Sequence, residues 1–140
     1  MKILLAVDGS EFTRHVLGYL GAHPQWFAAD NALTVVTVTP AVPPRAAAVL
    51  AADVLKGYYD EAAETVLAPV RAYFSQRGVA VDMVAAVGHA ADEIVRLAES
   101  LKADLIIMGS HGNGSLTNLV MGSIVTKVLA GCKTPVLVVR

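Results

Sequence analysis

The sequence reads Ile3-Leu4-Leu5-Ala6-Val7-Asp8-Gly9-Ser10-Glu11, an unbroken apolar run that ends in a short polar turn. An apolar run of this length is typical of a strand that is covered on both faces, and it is far too short to cross a bilayer. The next stretch, Glu11–Trp26, has large apolar residues at helical spacing, namely Phe12, Val16, Tyr19 and Leu20. A buried strand that leads directly into an amphipathic helix is typical of a parallel α/β fold.

The same alternation continues along the chain. Five short runs rich in β-branched residues are predicted strands: Ile3–Val7, Leu33–Thr39, Val79–Val87, Leu105–Met108 and Pro135–Val139. Four longer stretches with helical spacing lie between them: Glu11–Trp26, Ala46–Gln76, Asp92–Leu101 and Ser123–Ala130. This order predicts an α/β fold with an open parallel sheet, right-handed crossovers and helices on both faces.

Proline and glycine positions refine these boundaries. Pro69 is expected to kink or split the long helix, because proline lacks an N–H and clashes with the preceding turn. The segment Pro40–Arg45 contains three prolines and is predicted to be a loop. Gly78 and Gly131 fall where helices should end, and both are predicted to be left-handed C-terminal caps.

The composition is that of one folded domain. The chain has 140 residues, of which 55% are hydrophobic, and its mean hydropathy of +0.56 argues against disorder. A formal charge of −1 gives no electrostatic reason to expect nucleic acid or an anionic membrane as a partner. The composition does not change along the chain, so we predict a single domain over residues 1–140, with the cytoplasm as its default location.

Candidate binding residues follow the predicted strands. In an open α/β sheet, ligands bind beyond the carboxyl ends of the strands, where the strand order reverses. Gly109 and Gly112, after the fourth strand, let a ligand approach the backbone and allow positive φ. Gly122-Ser123 then opens a helix whose N–H groups and dipole favour a phosphate. The other strands are followed by Asp8-Gly9-Ser10, Val38-Thr39 and Gly88-His89.

Several known motifs are excluded by the sequence. A Walker A loop needs Gly-Lys-Ser or Gly-Lys-Thr, and neither occurs. The dinucleotide fingerprint fails because Thr117 occupies its third glycine position. A receiver domain is excluded because the third strand ends at Val87-Gly88 and not in a phosphorylatable Asp.

The sequence shows no arrangement of catalytic residues. No Gly-x-Ser-x-Gly elbow and no paired carboxylates are visible, so efficient catalysis is not indicated. The four histidines and Cys132 show no metal-ligand spacing, and Cys132 is predicted to be a small filler.

Three separated motifs resemble those of the universal stress protein family. Gly109-x-x-Gly112, nine residues and then Gly122-Ser123 resemble the Gly-x-x-Gly-(nine)-Gly-Ser/Thr motif of its ATP-binding members. Ile3–Glu11 resembles the family's opening strand and Asp-Gly-Ser turn, and Thr134–Val139 resembles its closing strand. The resemblance covers the whole chain and implies the strand order 3-2-1-4-5, with two helices on each face.

The resemblance also implies a binding site for ATP, with Mg²⁺ or Mn²⁺ on the outer phosphate oxygens. Asp8 would accept a hydrogen bond from the adenine or its surroundings. The residues implied around the base, the ribose and the α-phosphate are Ala6, Asp8, Val38, Gly88, Met108 and Gly109. The residues implied around the phosphates are Gly112, Gly122, Ser123 and Ile124. Two departures from the family pattern, Ala90 in place of proline and Asn113-Gly114-Ser115 in place of a basic residue, leave the choice among ATP, ADP and AMP open.

Simpler explanations stay open at several of these positions. Asp8 can hold its own turn or cap the first helix, and Ser123 can satisfy the first N–H groups of its helix. His111 lies inside the glycine loop, where it either contacts phosphate or is solvated.

Three functional classes follow. The first is a regulatory nucleotide-binding module of the stress response, which we expect not to be an enzyme. The second is a slow ATPase or phosphotransferase at the same site, which needs a positioned water and a base. The third is an interaction dimer without nucleotide, against which the intact glycine spacing argues.

The fifth strand is predicted to be an apolar edge of the sheet, whichever of these functions the protein has. A twofold homodimer is therefore predicted through Val136, Leu137, Val138 and Val139.

Overall fold

The computed structural model describes residues 1–113 and 120–140, and its elements alternate as predicted. The strands are β1 (Lys2–Ala6), β2 (Ala32–Thr39), β3 (Asp82–Val87), β4 (Leu105–Gly109) and β5 (Val136–Val139). The helices are α1 (Glu11–Ala22), α2 (Pro44–Ala48), α3 (Ala52–Gln76), α4 (Ala90–Leu101) and α5 (Ser123–Gly131), and a short 3₁₀ helix, Pro24–Phe27, follows α1. Within the described ranges, no helix is long and apolar enough to cross a membrane.

The strands form a parallel sheet in the order β3-β2-β1-β4-β5, which confirms the prediction. β1 lies in the middle, where its Leu4 pairs with Thr34 of β2 and Ile106 of β4. Successive side chains of a strand point to opposite faces, so Leu4 and Leu5 belong to different apolar clusters, and both are fully buried. Cover on both faces explains why this strand is apolar from Ile3 to Ala6.

Two long helices cover each face, which confirms the predicted layers. On the face of Leu5, α1 and α3 contribute the buried residues Val16, Leu20, Leu67, Val70 and Phe74. On the face of Leu4, α4 and α5 contribute Ile94, Ala98, Val125 and Val128. As a result, α1 and α5, which follow the neighbouring strands β1 and β4, lie on opposite sides of the sheet.

Several element boundaries differ from the prediction by one or two residues, and two elements are shorter than predicted by more than that. The helix predicted over Glu11–Trp26 ends at Ala22, because Pro24 cannot continue an α-helix and the chain turns into the 3₁₀ helix. The strand predicted over Val79–Val87 begins only at Asp82, where pairing with β2 begins.

The long helix predicted over Ala46–Gln76 is interrupted, but not at Pro69. The interruption lies at residues 49–51, between α2 and α3, and α2 begins at Pro44, inside the predicted loop. Pro69 lies within the continuous helix α3 and is exposed, while Leu67 and Val70 hold this part of the helix against the core. The helix is therefore not split at Pro69, and core packing on both sides of the proline is the physical reason that it continues.

The two predicted glycine caps differ from each other. Gly78, directly after the C-cap of α3, has a φ of 65°, as predicted for a left-handed cap. Gly131 is the last residue of α5 and has no positive φ. The prediction for Gly131 was wrong because the chain leaves α5 through Cys132, whose φ of −145° is extended and leads directly towards β5.

Candidate functional site

A cavity of about 430 Å³ opens at the carboxyl end of the sheet. It lies where α1 and α5 diverge to opposite faces from the adjacent strands β1 and β4. Such a divergence is the usual ligand site of an open α/β sheet, because the two loops cannot close over the strand ends. The volume falls within the roughly 300–1,000 Å³ that is typical of small-molecule sites.

Asp8, which follows β1, connects the two loops that border the cavity. Its Oδ1 accepts hydrogen bonds from the Ser10 N–H at 2.9 Å and from the Thr13 hydroxyl at 3.2 Å. Its Oδ2 accepts one from the Asn113 N–H at 2.9 Å, and the Asn113 side-chain amide donates to the Asp8 carbonyl at 2.8 Å. One carboxylate therefore holds the start of α1 and the glycine loop together, so the turn-holding role that the sequence left open for Asp8 is present in the structure.

Gly109 and Gly112 are glycines because other atoms occupy the space of a side chain. A Cβ on Gly109 would lie 2.7 Å from the Cβ of Phe12, and a Cβ on Gly112 would lie 2.5 Å from Oδ2 of Asp8. Neither glycine has a positive φ, so the backbone freedom that glycine allows is not used at these two positions. Positive φ occurs instead in the loops after β1 and β3, at Gly9 with 80° and Gly88 with 145°.

The start of α5 is fixed to the end of β4. Gly122, the N-cap of α5, is buried, and its N–H donates to the Ser110 carbonyl at 2.6 Å. The Gly122 carbonyl accepts hydrogen bonds from the N–H and the hydroxyl of Thr126, at 3.2 and 3.0 Å. Because Gly122 and Ile124 both line the cavity, the positive end of the α5 dipole borders it.

The structure brings eight of the ten predicted binding residues together at this cavity. They are Ala6, Asp8, Val38, Met108, Gly109, Gly112, Gly122 and Ile124. Gly88 and Ser123 do not line it. Gly88 donates its N–H to the Thr39 carbonyl at 3.0 Å at the end of β3, and Ser123 is exposed at the first position of α5.

One wall of the cavity was missed in the sequence analysis. Helix α3 contributes Tyr58, Ala62 and Val66, and α1 contributes Phe12 and Thr13. The spacing of four residues between Tyr58, Ala62 and Val66 is a visible sign of a common helix face. That this face reaches the carboxyl end of the sheet depends on the path of α3 across the sheet, which no local pattern contains.

The described lining is largely apolar and includes few ionisable side chains. They are Asp8, Tyr58 and His111. The Nδ1 atom of His111 lies 2.9 Å from the Ser110 hydroxyl, and the His111 ring lies 5.0 Å from the Phe12 ring. Over residues 1–113 and 120–140, no group of three or more His, Cys, Asp or Glu residues is arranged to hold a metal ion.

The sequence matches known proteins over its whole length. The model of the universal stress protein family matches residues 1–140. A universal stress protein of Methanocaldococcus jannaschii is 32% identical over 142 residues, which cover 99% of this chain and 81% of that protein. The universal stress protein Slr1230 of Synechocystis is 34% identical over 139 residues, and this chain spans 42% of its length.

Solved structures share the fold. The protein MJ0577 of Methanocaldococcus jannaschii superposes with a TM-score of 0.78 at 25% identity, covering 99% of this chain and 94% of that one. A universal stress protein in complex with cAMP superposes with a TM-score of 0.69 at 25% identity, covering 100% of this chain and 97% of that one. Both superpositions therefore include the strands and helices that border the cavity.

Proposed function

The chain belongs to the universal stress protein family, and on that premise we propose that it binds ATP in the cavity at the carboxyl end of the sheet. The observation that carries the proposal is the convergence of β1, β4 and the start of α5 on one cavity that eight of the predicted residues line. In this role the protein is a regulatory module whose contacts with other molecules depend on the bound nucleotide. The similar universal stress protein that was solved with cAMP supports an adenine nucleotide as the ligand class.

The apolar part of the lining is suited to the base. Val36 and Val38 of β2, Met108 of β4 and Ile94 of α4 offer the kind of surface against which a flat ring packs. Asp8 is the polar group that orients the ring. An ionised carboxylate has about four acceptor sites, and Ser10, Thr13 and Asn113 donate to Asp8; we assign a further acceptor position to the adenine or its surroundings.

The start of α5 is suited to the phosphates. Backbone N–H groups and the positive end of a helix dipole bind anions without any basic side chain. We assign this contact to Gly112, Gly122, Ser123 and Ile124, with Gly122 allowing close approach to its backbone, since its N–H donates to the Ser110 carbonyl. We assign to Gly88 the close approach of the third loop. Mg²⁺ or Mn²⁺ would be held by the phosphate oxygens of the nucleotide, since the described residues form no metal cluster of their own.

Titration calorimetry with ATP and Mg²⁺ tests the proposal. Gly122→Val adds a branched side chain at a buried position of the cavity wall. We expect it to weaken ATP and inorganic triphosphate by at least about tenfold, the equivalent of one hydrogen bond to a charged group. The matched control is Gly18→Val on α1, where a new Cβ meets no atom within 4 Å and where we expect unchanged affinity. Circular dichroism must first show that both variants are folded. Wild-type protein that binds no adenine nucleotide, or equal affinities of all three proteins, would contradict the proposal.

We also propose that two copies form a twofold homodimer through β5. This strand lies at the edge of the sheet, and its residues Val136, Leu137 and Val138 are apolar and only half-buried. An apolar edge without charges invites pairing with a second edge. Light scattering at about tens of micromolar protein measures the assembly, and a monomer at that concentration would overturn the homodimer.

A further inference from the structure

We propose that His111 is the pH-dependent cation of this cavity, so that phosphate-bearing ligands bind more tightly when its imidazole is protonated. The inference rests on the proposed nucleotide site and adds to it a side chain whose positive charge at low pH would attract the phosphates.

The first argument is the scarcity of charge near the start of α5. From Leu105 to Thr126 the sequence contains no Asp, Glu, Lys or Arg, and His111 is the sole titratable residue of this stretch. The described lining of the cavity also contains neither Lys nor Arg. A phosphate there meets helix N–H groups and the negative charge of Asp8. Protonation of His111 offsets that negative charge at the place where the anion binds.

The second argument is the position of the ring. Nδ1 of His111 lies 2.9 Å from the hydroxyl of Ser110, a residue that is only 2% exposed, and the ring packs against Phe12. The Ser110 carbonyl accepts the hydrogen bond from the Gly122 N–H at the start of α5. Because Ser110 connects both groups, the imidazole and the helix start border the same part of the cavity. In the imidazolium both ring nitrogens are donors, so the contact with Ser110 is retained with Nδ1–H donating.

The third point concerns the other titratable and charged residues near His111, because one of them provides a control. The elements packed around it carry charged residues, namely Asp8 after β1 and Glu11 and Arg14 of α1. Tyr58 of α3 lines the same cavity. His15 of α1 is the nearby residue of the same type, and its ring also packs against Phe12, at 5.2 Å, but it does not line the cavity. His15 is therefore a matched control for His111.

The experiment compares ATP affinity at about pH 5.5 and about pH 8, the range in which histidine changes its charge. We expect wild type to bind ATP about tenfold more tightly at the lower pH, beyond any change shared by all variants, because a charge-assisted hydrogen bond is gained. His111→Gln is expected to lose that gain and His15→Gln to keep it. His111→Lys is expected to bind tightly at both pH values. Protonation of the ligand itself affects every variant equally, so differences between proteins report on the substituted residue.

Adenosine, which lacks phosphate, separates this electrostatic role from a general effect on the cavity. The affinity for adenosine should change with pH to the same extent in wild type and in His111→Gln. Equal pH dependence of ATP binding in wild type and His111→Gln would overturn the inference while leaving ATP binding in place. Wild-type protein that binds no adenine nucleotide at either pH would overturn both proposals.

Discussion

The two ends of the sheet differ in how far the loops separate and in the size of the space between them. At the amino end, adjacent strands are joined by main-chain hydrogen bonds: the Asp104 N–H donates to the Lys2 carbonyl at 2.7 Å, and the Ala32 N–H donates to the Met1 carbonyl at 2.9 Å. The recess there measures about 180 Å³. At the carboxyl end, the loops diverge around a cavity of about 430 Å³, and a side chain, that of Asp8, connects them.

One aspartate at each end of the sheet, Asp104 and Asp8, shows this difference between the ends. The Asp104 carboxylate accepts a hydrogen bond from the Lys2 N–H at 2.7 Å, within its own end of the sheet. The Asp8 carboxylate accepts hydrogen bonds from Ser10 and Thr13 at the start of α1 and from Asn113 in the glycine loop. Small changes should therefore be tolerated better at the amino end than at the carboxyl end, where single atoms determine the shape of a site.

The largest effect is expected from Gly109→Ala at the carboxyl end. The new Cβ would lie 2.7 Å from the Cβ of Phe12, so the main chain must move, and overpacking of this kind costs about 1–3 kcal/mol of the free energy of unfolding. ATP binding should weaken by at least about tenfold, because the cavity wall moves with it. Gly18→Ala is the matched substitution inside α1, where it meets no atom within 4 Å and should add about 0.5–1 kcal/mol. Urea unfolding measures both variants, and equal stabilities would contradict the close approach at Gly109.

The next effect, on ATP affinity and not through overpacking of the main chain, is expected from Asp8→Asn. The amide keeps one acceptor oxygen but places an NH₂ group against donors that the carboxylate satisfied, so the loops separate and ATP weakens by about ten- to a hundredfold. Asp104→Asn is the matched change at the amino end. It keeps an acceptor for the Lys2 N–H, and ATP affinity should not change. Calorimetry on the two variants tests the contrast between the ends, and an equal loss of affinity in both would remove it.

The smallest effect is expected on the outer surface of α3, which belongs to neither end. A side-chain hydrogen bond from Arg71, with Nη1 and Oε1 2.6 Å apart, and the charge of Arg71 hold the pKa of Glu64 below its ordinary value. A lowered pKa in the folded state contributes stability above the ordinary pKa, and this contribution is lost as the pH falls through the lowered value. Because both side chains are exposed, solvent screens the pair, and Arg71→Ala should leave stability at neutral pH almost unchanged. An NMR titration should show the pKa of Glu64 rising towards its ordinary value, and an unchanged pKa would contradict the ion pair.

Local patterns in the sequence were sufficient for the alternation of strands and helices, whereas the strand order came from the resemblance to the family. Apolar runs and helical spacing predicted the alternation of strands and helices, because burial on two faces or on one stripe leaves a periodic trace in the residues themselves. The glycine spacing from Gly109 to Gly122 indicated the end of the sheet where the cavity lies. Boundaries such as the end of α1 at Ala22 were less accurate, since capping and tertiary packing decide where an element ends.

Only the folded chain decided how the cavity is built. The contact between Asp8 and Asn113 joins residues that are 105 positions apart, and the wall from α3 reaches the cavity because that helix crosses the sheet. The absence of a side chain at Gly109 reflects the approach of Phe12 and not a local need for positive φ. These features depend on contacts between residues that are far apart in the sequence, and such contacts form only when sheet, helices and loops pack together. Hydrophobic periodicity, in contrast, depends on residues that are close in the sequence.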